Sequence, residues 1–392
     1  MILNSYSLLM PAQIVFGWGR RTELPALAKS LGQRVFLLSG SQTLVRQGVI
    51  AELVTGLQQA GLTVITANAP NHEPEVCDVD RLTRDWSAHK IQPGDCVIAI
   101  GGGSTIDLAK AVAALLTNPH GESVQDFLEG VGKGLTLQHD PLPMIAVPTT
   151  AGTGSEATKN AVISSYDPPF KKSLRSDRMI PRIVLLDPEL TVTVPATTTA
   201  YTGMDAITQL MESYISRKAA PIPQALCLQG LQQAWPAIAK AVKNGRDRCA
   251  REAMSHAALL SGIALANSGL GMAHGVAAAL GVHAKVPHGL ACAVMLPPTL
   301  RYNLPVKEQE LAELGRVCLT DLRGSDAEIA RRFIDAVAQL CLAVGIPTRL
   351  RDIGVPREQI AALVPASQGN SLSANPRDLT PYDLQHLLES LW

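Results

Sequence analysis

Two histidines, His274 and His288, stand fourteen residues apart in the stretch GMAHGVAAALGVHAKVPHG, where most neighbours are small. Small side chains let backbone and ligand approach closely, so the stretch reads as the lining of a site. A second stretch, TGMDAITQLMESY, supplies what a histidine pair lacks. Asp205 and Gln209 are four residues apart and share one face of a helix. A carboxylate, two imidazoles and a carboxamide oxygen can hold one divalent ion and leave a position for a substrate oxygen. Either half alone has an ordinary explanation, because single histidines often pack in cores and Asp/Gln pairs are common on exposed helix faces. It is the combination that points to metal chemistry.

A glycine run carries the second piece of chemistry. The apolar stretch DCVIAI (Asp95 to Ile100) leads into Gly101, Gly102, Gly103 and Ser104, and then into the helical sequence TIDLAKAVAALL. Glycines between a buried strand and a helix let backbone N–H groups reach a phosphate, which also meets the positive end of the helix dipole. The spacing is neither GxGxxG nor a Walker motif, and a tight turn without ligand is the competing explanation. Further on, PTTAGTGSEAT (Pro148 to Thr158) places hydroxyls and glycines after another strand. Two such loops on one sheet edge suit a dinucleotide.

The elements that would position these motifs fall into two textures. Strands are expected at Gln13–Phe16, Arg34–Leu38, Leu62–Thr66, Asp95–Ile100, Met144–Val147 and Arg182–Leu186. Helices are expected near Gln42–Ala60, Val76–His89 and Thr105–Leu116. Near-continuous apolar strands separated by helices predict a parallel sheet covered on both faces. Beyond Pro195 strand signals almost vanish, and Gln224–Val242, Arg251–Ala266 and Ser325–Val344 read as helices broken by Pro and Gly. The expected organisation is an α/β dinucleotide-binding domain over residues 1–190 and an all-helical metal-binding and substrate domain over 191–392.

Composition bounds the function. With 392 residues, two or three cores are expected. Lys plus Arg and Asp plus Glu each number 34, so no net field favours nucleic acid or an anionic membrane. The seven cysteines (Cys77, Cys96, Cys227, Cys249, Cys292, Cys318, Cys341) are scattered and form no CxxC pair, which fits reduced thiols in a cytoplasmic protein. The N-terminus lacks a basic region ahead of its apolar residues, and no run of eighteen apolar residues occurs. Neither export nor membrane insertion is expected.

Taken in order, IVFGWG, GGGSTIDLAK, PTTAGTGSE, the segment from DPEL through MDAITQLMES, the histidine stretch and NPRDLT resemble the iron-containing (group III) alcohol dehydrogenase family over nearly the full chain. The resemblance implies a Rossmann-like N-terminal domain plus an all-α C-terminal domain, the dehydroquinate synthase-like fold. It also implies a homodimer, and hydride transfer between a small alcohol or aldehyde and NAD or NADP with the help of Fe2+ or Zn2+. Asp205, His274 and His288 fall on the family's metal ligands and catalytic centre. Gln209 stands where the family usually has a fourth ligand, His, and Ala278 stands where many relatives carry a His near the substrate. His283, nearby in sequence, reads as structural or solvent-facing.

For the cofactor, the resemblance implies Gly101, Gly102, Gly103, Ser104 and Asp107 in one loop and Thr149, Thr150, Gly152 and Thr153 in the other, with Lys171 at a cofactor-side position. Gly40 occupies the place after the second strand where an acid would hydrogen-bond the ribose and repel a 2′-phosphate; Ser39 and Ser41 flank it. Two alternatives stay open at this level: a metal-independent reductase resembling maleylacetate reductases, and a catalytically silent nucleotide-binding scaffold.

Overall fold

The computed structural model describes residues 5–320 and 322–392, and its contacts divide the chain into two units at Thr193/Val194. One unit comprises Leu9–Thr150 and Ser155–Thr193. The other comprises Val194–Trp392, the described part of the N-terminal stretch up to Leu8, and the four residues Ala151–Gly154. The last segment is an exchange that sequence reading did not anticipate.

The first unit is built on a parallel sheet of β1 (Gln13–Phe16), β2 (Arg34–Ser39), β3 (Thr63–Asn68), β4 (Asp95–Gly101), β5 (Met144–Pro148) and β8 (Ile183–Leu186) in the order β1-β8-β5-β4-β2-β3. Between them run α1 (Leu24–Leu31), α2 (Gln42–Arg46), α3 (Val49–Gln59), α4 (Val76–Ser87) and α5 (Gly103–Leu115). Alternate residues of each strand serve opposite faces. Phe36, Leu38, Val97, Ala99 and Ala146 pack with α4 and α5, while Val35, Leu37, Ile98, Ile100 and Ile145 pack with α1 and α3. Because both faces are covered, the strands are apolar throughout instead of alternating.

Two local differences from the sequence reading have clear causes. The stretch expected as one helix from Gln42 to Ala60 is two, because Gly48 adopts φ +79 between α2 and α3, a left-handed turn that an α-helix does not contain. The antiparallel pair β6 (Asn160–Tyr166) and β7 (Pro169–Arg175) falls in a stretch for which no strand was expected. Its apolar burial is limited to Ala161, Ile163, Phe170 and Leu174, with Ser164 and Ser173 buried beside them.

The second unit is helical: α6 (Ala196–Ile215), α7 (Pro221–Lys243), α8 (Arg248–Ser268), α9 (Met272–His283), α10 (His288–Cys318), α11 (Asp326–Ala343), α12 (Ile360–Ala366), α13 (Asn370–Ser373) and α14 (Pro381–Ser390). α6 is buried along nearly its whole length, which accounts for its weak polar face. α8 and α9 meet at a 102° bend across Gly269–Gly271. α10 is bent at Lys307, two residues after Pro305, where the missing N–H interrupts the helical ladder. No single helix among the described residues is long and apolar enough to cross a membrane.

Candidate metal centre and cofactor loops

Four donors converge inside the helical unit. Asp205 lies in the middle of α6, His274 in the first turn of α9, His288 at the first position of α10 and Cys292 one turn further along α10. One ligand atom from each of the four lies within 4.8 Å of the other three. His274 Nε2 is 3.2 Å from Asp205 Oδ1, His288 Nε2 is 3.9 Å from the same oxygen, and Cys292 Sγ is 3.7 Å from His288 Nε2.

Glycines are what let these helices come so close. A Cβ on Gly289, the residue after His288, would lie 2.4 Å from the Tyr201 carbonyl oxygen. That close approach seats the start of α10 on α6 one turn before Asp205. A Cβ on Gly271 would lie 2.9 Å from Glu212 Oε1, so glycine at the N-cap of α9 admits the Glu212 carboxylate to the helix N-terminus. There Glu212 Oε1 accepts from the Ala273 N–H at 2.7 Å and Oε2 from His274 Nδ1 at 2.6 Å. The carboxylate also meets the positive end of the α9 dipole.

Glu212 fixes the imidazole. With Nδ1–H donated to Glu212, Nε2 of His274 is the ring nitrogen turned toward Asp205, and it is the atom that would bind a metal once its proton has left. Asn375 completes the helix end, its Oδ1 accepting from the Met272 N–H at 3.3 Å while its amide exchanges hydrogen bonds with Asn303.

The electrostatics agree with a cation. Burial opposes charge on Asp205, yet His288 and His274 outweigh it and hold the carboxyl below the usual range. Burial pulls His274 down, but Cys292, Asp205 and Glu212 together hold it well above the ordinary histidine value. Burial pushes the Cys292 thiol up to about 12. The negative field that draws a proton to His274 is also the field a divalent ion would meet, and N, O and S donors at these separations fit one.

Gln209, expected as a fourth ligand, is hydrogen-bonded at both ends of its carboxamide. Its Nε2 donates to the Thr153 carbonyl at 3.2 Å and its Oε1 accepts from Ser261 Oγ at 2.7 Å, so both ends of the carboxamide are anchored within the protein. His283 closes α9, half-buried, and Ala278 is partly accessible on the same helix.

The glycine loop leaves β4 and enters α5, with Gly102 as N-cap, Gly103 and Ser104 in the first turn, and Gly101 ending the strand. The Thr149 N–H donates to Gly101 O at 3.0 Å, which joins the two expected loops at the carboxyl ends of neighbouring strands. The chain leaves β2 toward β3 and leaves β4 toward β5 on the other side, so the crevice beside Gly40 and Gly101 is a topological switch point, where nucleotides bind in open α/β sheets. Thr105 fills the space between them: a Cβ on Gly40 would lie 1.8 Å from Thr105 Oγ1, and one on Gly101 would lie 2.4 Å from it. Ser39 Oγ is buried without a partner, and Ser41 Oγ caps α2 by accepting from the Leu44 N–H.

Four further expected cofactor residues are engaged inside the protein. Asp107 accepts from Ser155 Oγ and from the Val162 N–H at 3.0 Å, and pairs with Lys110 at 3.0 Å. Lys171, on β7, pairs with Glu73 at 2.6 Å. Gly152 and Thr153 belong to the segment that joins the helical unit, and Gly152 faces Thr202, which a Cβ would approach to 2.7 Å.

Residues 11–188 match the family described as iron-containing alcohol dehydrogenase, and residues 199–392 match the C-terminal family of Fe-containing alcohol dehydrogenases. The chain belongs to the iron-containing alcohol dehydrogenases. It is accordingly an oxidoreductase acting on CH–OH groups, with a parallel-sheet domain followed by a helical one. Among relatives of this alcohol dehydrogenase, the NAD-dependent methanol dehydrogenase of Bacillus methanolicus is 31% identical, with 97% of this chain and 98% of the relative covered. The lactaldehyde reductase of Escherichia coli strain K12 is 32% identical over 96% and 97%. A solved 1,3-propanediol oxidoreductase superposes with a TM-score of 0.92 at 29% identity, covering 99% of this chain and 100% of the other.

Proposed function

We propose that this alcohol dehydrogenase interconverts short aliphatic alcohols and aldehydes with a nicotinamide cofactor, using Asp205, His274 and His288 to hold a divalent iron or zinc ion. The observation that carries the reading is the convergence of these donors around one point, with Asp205 and His274 buried and His274 backed by Glu212. It favours the metal-dependent reaction over the metal-independent one. When bound, such a cation polarises a substrate oxygen and lowers its pKa, and nicotinamide supplies the hydride acceptor.

The chain's own contribution is positional. Asp205 offsets part of the cation's charge, the two imidazoles orient around it, and Glu212 holds the His274 tautomer. Backbone N–H groups of Gly102, Gly103 and Ser104 at the α5 N-terminus suit the cofactor pyrophosphate, with Thr149 and Thr150 on the adjoining loop. Gly40 has no space for the acid that would repel a 2′-phosphate, so NADPH is accepted as well as NADH. Low aromatic content, 4%, favours small aliphatic substrates over large planar ones. A homodimer follows from the family resemblance and from the prevalence of twofold assemblies, and seven free thiols support a cytoplasmic setting.

The test is metal analysis of protein purified without added metal, paired with NADH and NADPH oxidation against short aldehydes before and after chelation. Near-stoichiometric iron or zinc with chelator-sensitive turnover is expected. His274→Ala or His288→Ala should abolish turnover while nucleotide binding persists. Turnover by a metal-free protein would overturn the reading.

A further inference from the structure

We propose that Cys292, rather than Gln209, supplies the fourth protein donor of the cation site, so that the ion is held by a carboxylate, two imidazoles and a thiolate. The inference rests on the reading of Asp205, His274 and His288 as cation ligands and specifies what completes them.

Geometry carries the first part. Tetrahedral bonds of about 2.0–2.1 Å to N or O and about 2.3 Å to S place neighbouring donors roughly 3.3 Å apart for N and O, and roughly 3.6 Å apart for N and S. The separations of 3.2 Å between His274 and Asp205, 3.9 Å between His288 and Asp205 and 3.7 Å between Cys292 and His288 lie close to those edges. Cys292 follows His288 by four residues on α10, so both side chains project from one face of the first turns.

Gln209 carries the second part. Its Nε2 bonds to the Thr153 carbonyl, which can only accept, and this fixes which end of the carboxamide is which. Its oxygen is held by Ser261 Oγ. Turning it toward an ion would break its contacts with Thr153 and Ser261. Sequence and structure thus show an exchange: the imidazole expected one turn after Asp205 is missing, and a thiol stands one turn after His288.

Charge carries the third part. A buried divalent ion is stabilised most when its donors neutralise it. Asp205 and the Cys292 thiolate together supply two negative charges, whereas Asp205 and Gln209 supply one. Binding releases the thiol proton to solvent, and a soft thiolate tilts the site toward zinc among the ions a family of this kind can hold.

The experiment uses the full chain stripped with a chelator and titrated with Co2+, whose thiolate complexes show a charge-transfer absorption in the near ultraviolet. Wild type should bind one equivalent with that band and with the visible bands of a four-coordinate ion. Cys292→Ser should lose the band and bind Co2+ at least about tenfold more weakly. The isosteric Gln209→Met should keep the band and stay within about threefold of wild-type affinity, with thermal melts confirming that each variant is folded. One equivalent of Co2+ without the band, or a band that survives Cys292→Ser, would overturn the assignment of Cys292 while leaving the three-ligand reading intact, provided His274→Ala abolishes binding. Absence of Co2+ binding by folded wild type would overturn both.

Discussion

At the residue scale, the side chain that does most for the centre without being a candidate ligand is Glu212. It is two turns from Asp205 on α6, touches His274 Nδ1 and caps α9, so one carboxylate sets both the orientation of a candidate ligand and the position of the helix that bears it. Glu212→Gln should therefore retain the fold and weaken zinc or cobalt affinity by about 10- to 100-fold, read by competition with a chromophoric chelator. Unchanged affinity would show that the contact is structural only. The signal was in the sequence: Asp205, Gln209 and Glu212 sit at i, i+4 and i+7, a polar stripe along a helix that is buried over most of its length.

At the scale of elements, close backbone contact decides where the helices lie. A Cβ on Gly262 of α8 would fall 2.2 Å from the Gly154 carbonyl oxygen and 2.8 Å from its Cα. Main chain, unlike the end of a flexible side chain, cannot step aside cheaply. This contact seats Ala151–Gly154 against α8, and the segment in turn offers the Thr153 carbonyl to Gln209. Gly262→Ala is expected to lower stability by about 1–3 kcal/mol or more by overpacking. Gly56→Ala in α3, where the nearest atom is Pro25 Cγ at 3.4 Å, should raise it by about 0.5–1 kcal/mol through helix propensity. Urea unfolding of the two variants separates the cases, and a neutral Gly262→Ala would remove the steric account of the segment's placement.

At the scale of the whole molecule, burial has left titratable groups whose charge folding disfavours. Glu156, nearly inaccessible, is pushed up to about 7 by desolvation, which Lys110 only partly offsets. A carboxyl whose folded pKa lies above its unfolded value of 4.5 costs nothing while both states are protonated. Its cost grows as pH rises from about 4.5 to about 7 and is fully present above that. Glu156→Gln should therefore match wild type near pH 4.5 and exceed it at pH 8 by an amount on the order of 3 kcal/mol. Melts at the two pH values test this, and a stability gain that is equal at both would rule out titration as its cause.

The sequence by itself determined the parallel sheet and the helical second half, because strands buried on both faces must be apolar throughout and helices carry a 3.6-residue period whatever surrounds them. It also singled out Asp205, His274 and His288, whose types and small neighbours are local features of the chain. Tertiary structure alone decided which fourth donor lies beside them. Asp205 and Cys292 are 87 residues apart in sequence, and only the approach of α10 to α6 at Gly289 and Tyr201 brings them together. The engagement of Gln209 likewise depends on Ser261 and on a segment from before the helical half, Ala151–Gly154, whose placement no spacing along the chain encodes. Periodicity reports which face of an element is buried; which faces meet is fixed by the close packing of elements far apart in the chain.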